Sequence, residues 1–454
     1  MRDRVLVPFS GPGEGVELLS WGQRGLWQTT LNEGKSVTMA GVVEPPAGTT
    51  VQALVEGLQF ALGRHQSLRT RLRFDPDGTV RQVVSSSGTT TMELVDAGTA
   101  DPAEVAAAEL ARLQSYDFDY VNEWPIRAAT ILSNGAVTHF LVVYLHLALD
   151  AFGLQVLLDD LASRDPVTGL SDRPVTGMAP LEQARWQQTP AAQRHCQASL
   201  RHLEKVLRAV PLDRFAQPPA DQPARHPRLE YRSPAIRLAL RAISQRKNMD
   251  TSQVLLGVFA IAVTRVSGTN PFVTMLAVSN RFRPGFANSV SVVAQISPCL
   301  IDLADCTLDE AIGRARRAAV SAYKYGFYDP PQRVALIERI AAERGRKVDL
   351  SCFFSDRRTE RDQQLEPIDL ACLTGALRHS SYRWRPELEE IPEKIYLSVD
   401  NDDDAVLLQL SADTRQLAPE QIVALAQDIE ATAVQAALDA DQPTGIETKP
   451  TVLA

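Results

Sequence analysis

The chain has 454 residues, 44% of them hydrophobic and 22% charged, and a formal net charge of -8. This is ordinary globular composition, long enough for two lobes with cores of their own. The acidic balance argues against a nucleic-acid binder, and no apolar run reaches the ~18 to 20 residues that span a bilayer. Met1-Arg2-Asp3-Arg4 carries charge but no signal-peptide core follows, so a cytoplasmic protein with no membrane partner is expected. The five cysteines, Cys196, Cys299, Cys306, Cys352 and Cys372, are odd in number and scattered. They have neither metal-ligand nor disulfide spacing and read as free thiols, with no metal site.

Residues 1–16 read as an N-terminal extension. The lobe after them, 17–173, alternates helices and strands. Val51 to His65 carries Leu54, Leu58 and Leu62 at helical spacing. Leu68 to Phe74 and Thr79 to Val84 are strand-like around the turn Asp75-Pro76-Asp77-Gly78. Pro102 to Leu113 is an Ala-rich helix and Ile126 to Leu132 a strand. Phe140 to Leu145 is an unbroken apolar run, the pattern of a strand covered on both faces. It leads through His146 into helical spacing at Leu154, Leu157, Leu158 and Leu161.

Residues 174–232 read as a connecting helix, Leu181 to Leu207, and a Pro-rich linker. The second lobe, 233–440, opens with a helix N-capped by Thr251 or Ser252 that runs through Val254, Leu255, Val258, Ile261 and Val266. A strand over Pro271 to Val278 and a helix over Leu308 to Tyr323 follow. Ile395 to Val399 and Ala405 to Leu410 flank Asp400-Asn401-Asp402-Asp403-Asp404, an acidic hairpin turn without the ligand spacing of a calcium loop. A helix over Ala418 to Ala437 closes the lobe, and 441–454 reads as a flexible tail.

The chemistry-bearing segment is Tyr144-Leu145-His146-Leu147-Ala148-Leu149-Asp150-Ala151-Phe152-Gly153. A histidine leaving a buried strand keeps its backbone fixed while its imidazole faces a cleft, as a general base or positioning group requires. Around it stand Ser20-Trp21-Gly22-Gln23-Arg24-Gly25-Leu26-Trp27, Arg64-His65-Gln66-Ser67-Leu68-Arg69-Thr70, and Phe118-Asp119-Tyr120 with Trp124-Pro125-Ile126-Arg127-Ala128. In order and interval these segments resemble the condensation domains of nonribosomal peptide synthetases, in the chloramphenicol acetyltransferase-like superfamily. The first is similar to Ser-x-Ala-Gln-x-Arg-Leu-Trp, the second to Arg-His-x-x-Leu-Arg-Thr, and the His146 segment to His-His-x-x-x-Asp-Gly.

The resemblance implies an α/β fold of two chloramphenicol-acetyltransferase-like sandwich lobes in a V, with the active site at their junction. It implies a donor acyl group on the phosphopantetheine arm of an acyl or peptidyl carrier protein, and a small amine or alcohol acceptor. The resemblance also implies that no cofactor is bound intrinsically. His146 matches the second histidine of the motif and would take the acceptor's proton or orient its lone pair. Asp150 would hold the loop through an ion pair with an arginine of the second lobe, and Arg281 in Ser279-Asn280-Arg281 is the matching residue.

Several positions depart from the pattern. Leu145 replaces the first histidine, and Gly25 stands where the opening motif has arginine. Neighbouring strand residues face opposite ways, so Leu145 can fill core volume without touching His146's task. Ala151 replaces the motif glycine. Were positive φ required there, alanine would cost about 1 kcal/mol and narrow the acceptor channel. Val290 to Pro298 resembles Val-Gly-x-Phe-Val-Asn-Thr-x-x with Ser291 and Gln295 in place of glycine and asparagine. Gln295, Ser291, Ala151 and Gly153 are therefore candidates for lining a tunnel or meeting an oxyanion. Arg185-Trp186-Gln187 resembles the segment Tyr-x-Asp-Tyr-Ala-x-Trp with its tyrosines lost, and Trp186 reads as a packing residue.

The expected protein is a free-standing, monomeric condensation enzyme of natural-product biosynthesis, forming an amide or an ester. Two alternatives stand beside it: a degenerate, non-catalytic relative that recruits a carrier protein or tailoring enzyme, and an acyltransferase that takes coenzyme A directly.

Overall fold

The computed structural model describes residues 2–165, 167–215, 225–358, 368–388 and 391–448. The chain forms two compact units. The first holds the residues up to Gln197 together with Ser279–Gln295 and Tyr328–Pro331, and the second holds the rest.

The first unit contains, in order, β1 (Arg2–Ser10), β2 (Gly15–Leu18), α1 (Trp21–Glu33), β3 (Thr38–Val43), α2 (Val51–Arg64), β4 (Thr70–Phe74) and β5 (Val80–Val84). It continues with β6 (Ser87–Asp96), α3 (Pro102–Gln114), β7 (Ile126–Ser133), β8 (Ala136–Leu145), α4 (Ala151–Ala162) and α5 (Pro180–Gln187). The main sheet has the order β1-β6-β7-β8-β3, and β2-β5-β4 form a smaller one. The apolar run of β8 is divided between two cores, as its strand alternation requires. Val142 and Tyr144 pack with Leu58 and Leu62 of α2 and Leu157 of α4. Leu141, Val143 and Leu145 pack with Ala106 and Leu113 of α3.

Residues 1–16 are not an extension. β1 pairs with β6 along its full length, from Arg2 to Ser10. Val7 and Phe9 are buried in the α2 core while Leu6 and Pro8 face outward, a period-two pattern that seats an edge strand.

The motif arginines are structural. Arg69 is wholly buried and donates to the carbonyls of Gly13 (2.7 Å), Pro12 and Ser85, fastening the chain after β1 to the start of β4. Arg127 makes a forked pair with Glu123 and donates to the carbonyls of Leu113, Tyr116 and Asp117, fixing the loop after α3. Arg64 and His65 converge on Asp160 of α4, each at 2.8 Å.

Burial alone would push the Asp160 carboxyl up. The hydrogen bonds and charges of His65 and Arg64 more than offset it and hold the group at about 2, below its ordinary 3.8. Asp160 therefore adds stability above its unfolded value, and that contribution fades as the pH falls from about 4 to about 2. A shift of this size corresponds to about 2 kcal/mol. Asp160→Asn should melt lower than wild type at pH 6, with the gap narrowing as the pH falls from about 4 toward about 2. A gap that stays constant across a pH series of melts would refute the account.

After α5 comes α6 (Pro190–Ala209). The single helix expected over Leu181 to Leu207 is thus two, because Pro190 has no N–H to continue α5 and instead opens α6.

The second unit is built on a seven-stranded sheet. Its elements are β9 (His226–Ser233), α7 (Pro234–Lys247), α8 (Thr251–Ser267), β10 (Phe272–Val278), β11 (Gln295–Ile301), α9 (Leu308–Tyr325) and α10 (Pro330–Glu343). They continue with β12 (Cys352–Asp356), α11 (Ala371–Ala376), β13 (Ser381–Leu388), β14 (Ile395–Asn401), β15 (Val406–Ala412) and α12 (Pro419–Leu438). The strand order is β11-β10-β12-β14-β15-β9-β13. α8 is apolar all round and buried from Val254 to Thr264, so it forms the centre of this core.

Three expectations change here. α8 is capped by Asp250, whose carboxylate accepts from Ser252 N, rather than by Thr251 or Ser252. Residues 226–232 of the expected linker belong to β9, while 216–224 lie outside the described residues. In the expected tail, Ile446 is buried, its carbonyl accepts from Asp305 N and Thr444 N donates to Cys306 O. Residues 449–454 lie outside the described residues. Among the described residues no single helix is long and apolar enough to cross a membrane.

Candidate active site

β8 ends at Leu145 and delivers His146 into a tight turn. The turn is fixed by the backbone: His146 N donates to Val37 O (2.9 Å) and Ala148 N to Leu145 O (2.9 Å). Leu145 is buried in the α3-side core, whereas His146 is only partly buried. Nδ1 of His146 lies 2.9 Å from the carbonyl of Leu149. A carbonyl only accepts, so Nδ1 is the donor there, and a neutral ring held this way carries its lone pair on Nε2.

Asp150 closes the turn and N-caps α4, its Oδ1 accepting from Gly153 N at 2.7 Å. The same oxygen accepts from Arg281 Nη2 at 2.6 Å, and Oδ2 accepts from Val293 N and Ala294 N, both at 2.9 Å. Four donors thus hold a carboxylate that is 3% exposed, which makes Asp150 an anchor rather than a proton acceptor. Arg281 also donates to the carbonyls of Phe286 (3.1 Å), Ser289 (2.8 Å) and Ser291 (3.3 Å). These bonds fold residues 279–295 against the α4 terminus. Arg281, expected from the second lobe, consequently belongs to the first unit.

The remaining candidates are structurally engaged. Ala151 is the exposed first residue of α4 and is not among the residues with positive φ, so the conformational cost feared for it does not arise. Gly153 is buried under residue 291: a Cβ there would lie 2.9 Å from Ser291 O and 3.2 Å from Arg281 Nη2. Only glycine permits this approach. Ser291 Oγ accepts from Gln183 Nε2 of α5 at 2.6 Å. Both ends of the Gln295 amide bind the backbone of Tyr328, Nε2 to its carbonyl (2.8 Å) and Oε1 to its N–H (3.0 Å). Trp186 packs edge-on against Phe286, and a Cβ at Gly25 would meet Pro330 Cγ at 3.7 Å, an ordinary contact.

Gln183 and the Leu149 carbonyl escaped the sequence reading. The aligned Tyr-x-Asp-Tyr-Ala-x-Trp segment was the available signal for Gln183. A backbone acceptor such as Leu149 O leaves none. Among the described residues no group of three or more His, Cys, Asp or Glu side chains is placed to hold a metal ion.

The condensation-domain family model matches residues 14–342. Among curated proteins, a hybrid PKS-NRPS synthetase, fsa1, of Fusarium sp. (strain FN080326) is 30% identical over 164 residues, covering 36% of this chain. The match covers 4% of that synthetase's length. Among solved structures, the condensation domain of the monacolin K polyketide synthase MokA superposes with a TM-score of 0.70 at 14% identity, covering 96% of this chain and 100% of that one. The X-domain in its complex with OxyB from teicoplanin biosynthesis gives 0.70 at 17% identity, covering 97% and 98%. At these identities the structural likeness is one of fold. The extent of the family match decides membership: this chain belongs to the condensation-domain family and has its chloramphenicol-acetyltransferase-like two-lobe α/β fold.

Proposed function

We propose that this chain is a condensation enzyme of nonribosomal-peptide-type biosynthesis, joining a carrier-bound acyl or aminoacyl thioester to an amine or hydroxyl acceptor. The observation that carries the reading is the imidazole of His146, whose Nδ1 lies on Leu149 O and orients the ring, so that in its neutral form the lone pair is on Nε2. The acceptor nitrogen or oxygen attacks the thioester carbonyl, and Nε2 takes the proton it loses. The tetrahedral intermediate collapses with cleavage of the C–S bond. The departing thiolate of the phosphopantetheine arm recovers the proton from Nε2, leaving an amide or ester. Asp150 and Arg281 hold the turn that aims the ring and take no proton. The reaction requires neither metal nor nucleotide.

The test is an LC–MS assay with carrier-bound acyl and aminoacyl thioesters, a panel of amines and alcohols, and a parallel arm with free acyl-coenzyme A. Product from the carrier arm supports the reading, and turnover of acyl-coenzyme A without carrier would replace it with a coenzyme A-dependent acyltransferase.

A second reading, recruitment without catalysis, is favoured by the loss of the first motif histidine at Leu145. The fold likeness to an X-domain seen in complex with OxyB also points that way. Tight binding of a carrier or tailoring enzyme, unchanged in His146→Ala and without any turnover, would select it.

A further inference from the structure

Two of the departures from the family pattern touch each other. Aligning Trp186 with the tryptophan of Tyr-x-Asp-Tyr-Ala-x-Trp sets Ala184 on the alanine and Glu182 on the acidic position. Gln183 then stands where the second tyrosine would be. Ser291 stands where the later segment has glycine. In the fold, Gln183 Nε2 donates to Ser291 Oγ at 2.6 Å, between residues 108 positions apart. Both are almost fully buried, at 1% and 2% exposure.

The contact lies one bond away from the anchor of the catalytic turn. Ser291 O accepts from Arg281 Nη2 (3.3 Å), which also holds Asp150 Oδ1 (2.6 Å). Just beyond Ser291, the N–H groups of Val293 and Ala294 hold Asp150 Oδ2. The chain just before α5 is fastened to the same segment once more: Met178 O, which accepts from Gln183 Nε2 within its own stretch (2.9 Å), also accepts from Ser289 Oγ (3.0 Å). Independent loss of a tyrosine and a glycine would leave a gap on one side and an unsatisfied hydroxyl on the other. A shorter amide and an added hydroxyl meeting at hydrogen-bond distance instead fill one space together.

We propose that Gln183 and Ser291 are a compensating pair, and that Gln183 is a positioning residue for His146, acting through residues 289–294 and Asp150. The inference rests on the catalytic reading of His146 for its kinetic consequence, but not for its structural one.

The experiment is a double-substitution cycle on the full chain, with kcat and KM measured beside the ring ¹⁵N shifts of His146. Gln183→Leu and Ser291→Ala should each lower kcat about tenfold with KM nearly unchanged, because a loosened anchor misorients the base without altering substrate binding. In each variant the His146 ring should shift from a single Nδ1–H tautomer to a mixture. The double variant should be no worse than either single one.

A second cycle restores the family residues. Gln183→Tyr and Ser291→Gly should each lower stability, and together should recover it. Additive losses in the first cycle, or a His146 ring unchanged in every variant, would overturn the proposal. A wild type without turnover would remove the catalytic reading alone, since the tautomer and stability cycles still judge the pairing.

Discussion

Replacing Asp150 with asparagine should lower the melting temperature by roughly 10 °C, although the side chain keeps its size. The carboxylate accepts on both oxygens, from Gly153 N and Arg281 on one and from Val293 N and Ala294 N on the other. An asparagine must turn its NH₂ toward one of these donor pairs, in either orientation. It also strips Arg281, 10% exposed at its side chain, of its counter-charge. Breaking a buried pair in this way costs about 3–5 kcal/mol. The solvated pair Arg185–Glu17, with side chains 57% and 23% exposed, is a suitable control. Glu17→Gln there should cost no more than about 1 kcal/mol.

Thermal melts and soluble yield of the two variants decide the matter. Equal melting temperatures would mean that the turn is held by its backbone bonds alone. Arg281→Met should resemble Asp150→Asn, and the two together should fall well short of additive, since either one already breaks the pair.

The same turn shows where the sequence was readable. His146, Asp150 and Arg281 stand in short segments that match family motifs, while β8 follows from an unbroken apolar run and α4 from helical spacing. β1 was hidden because its alternation, Val5, Val7, Phe9, is short, flanked by charge and interrupted by the outward-facing Pro8. Its partner β6 lies some eighty residues further along. β9 was hidden in the same way by the prolines before it. At the start of α8, Asp250, Thr251 and Ser252 are all competent caps, and only the backbone turn selects Asp250.

The bonds that finish the site were beyond reach for another reason. Val293 N, Ala294 N and Leu149 O are backbone groups that any residue would supply. The Gln183–Ser291 contact joins segments whose separate departures looked like decay. Ser291 and Gln295 drew attention as possible oxyanion groups. Their side chains are instead bound to Gln183 and to the Tyr328 backbone.

Removing the imidazole should have the largest effect on turnover and almost none on the fold. His146→Ala is expected to lower kcat by about 10² to 10⁴-fold, the range for loss of a positioned acid–base group. His146 is partly exposed, and among the described residues its side chain's hydrogen bond is to Leu149 O. Losing that bond costs about 1 kcal/mol, a shift of only a few degrees in a chain of this size. The backbone bond from His146 N to Val37 O survives the substitution, so the turn itself stays in place.

Asp150→Asn and His146→Ala are thus opposite in kind: one acts on activity through the fold, the other on activity alone. Measuring kcat and the melting temperature of both variants separates them. A His146→Ala variant that melts normally and turns over at the wild-type rate would leave proximity as the whole of catalysis. A variant that melts ten degrees lower would show the ring to be part of the core, because a general base on a preformed turn has no such structural duty.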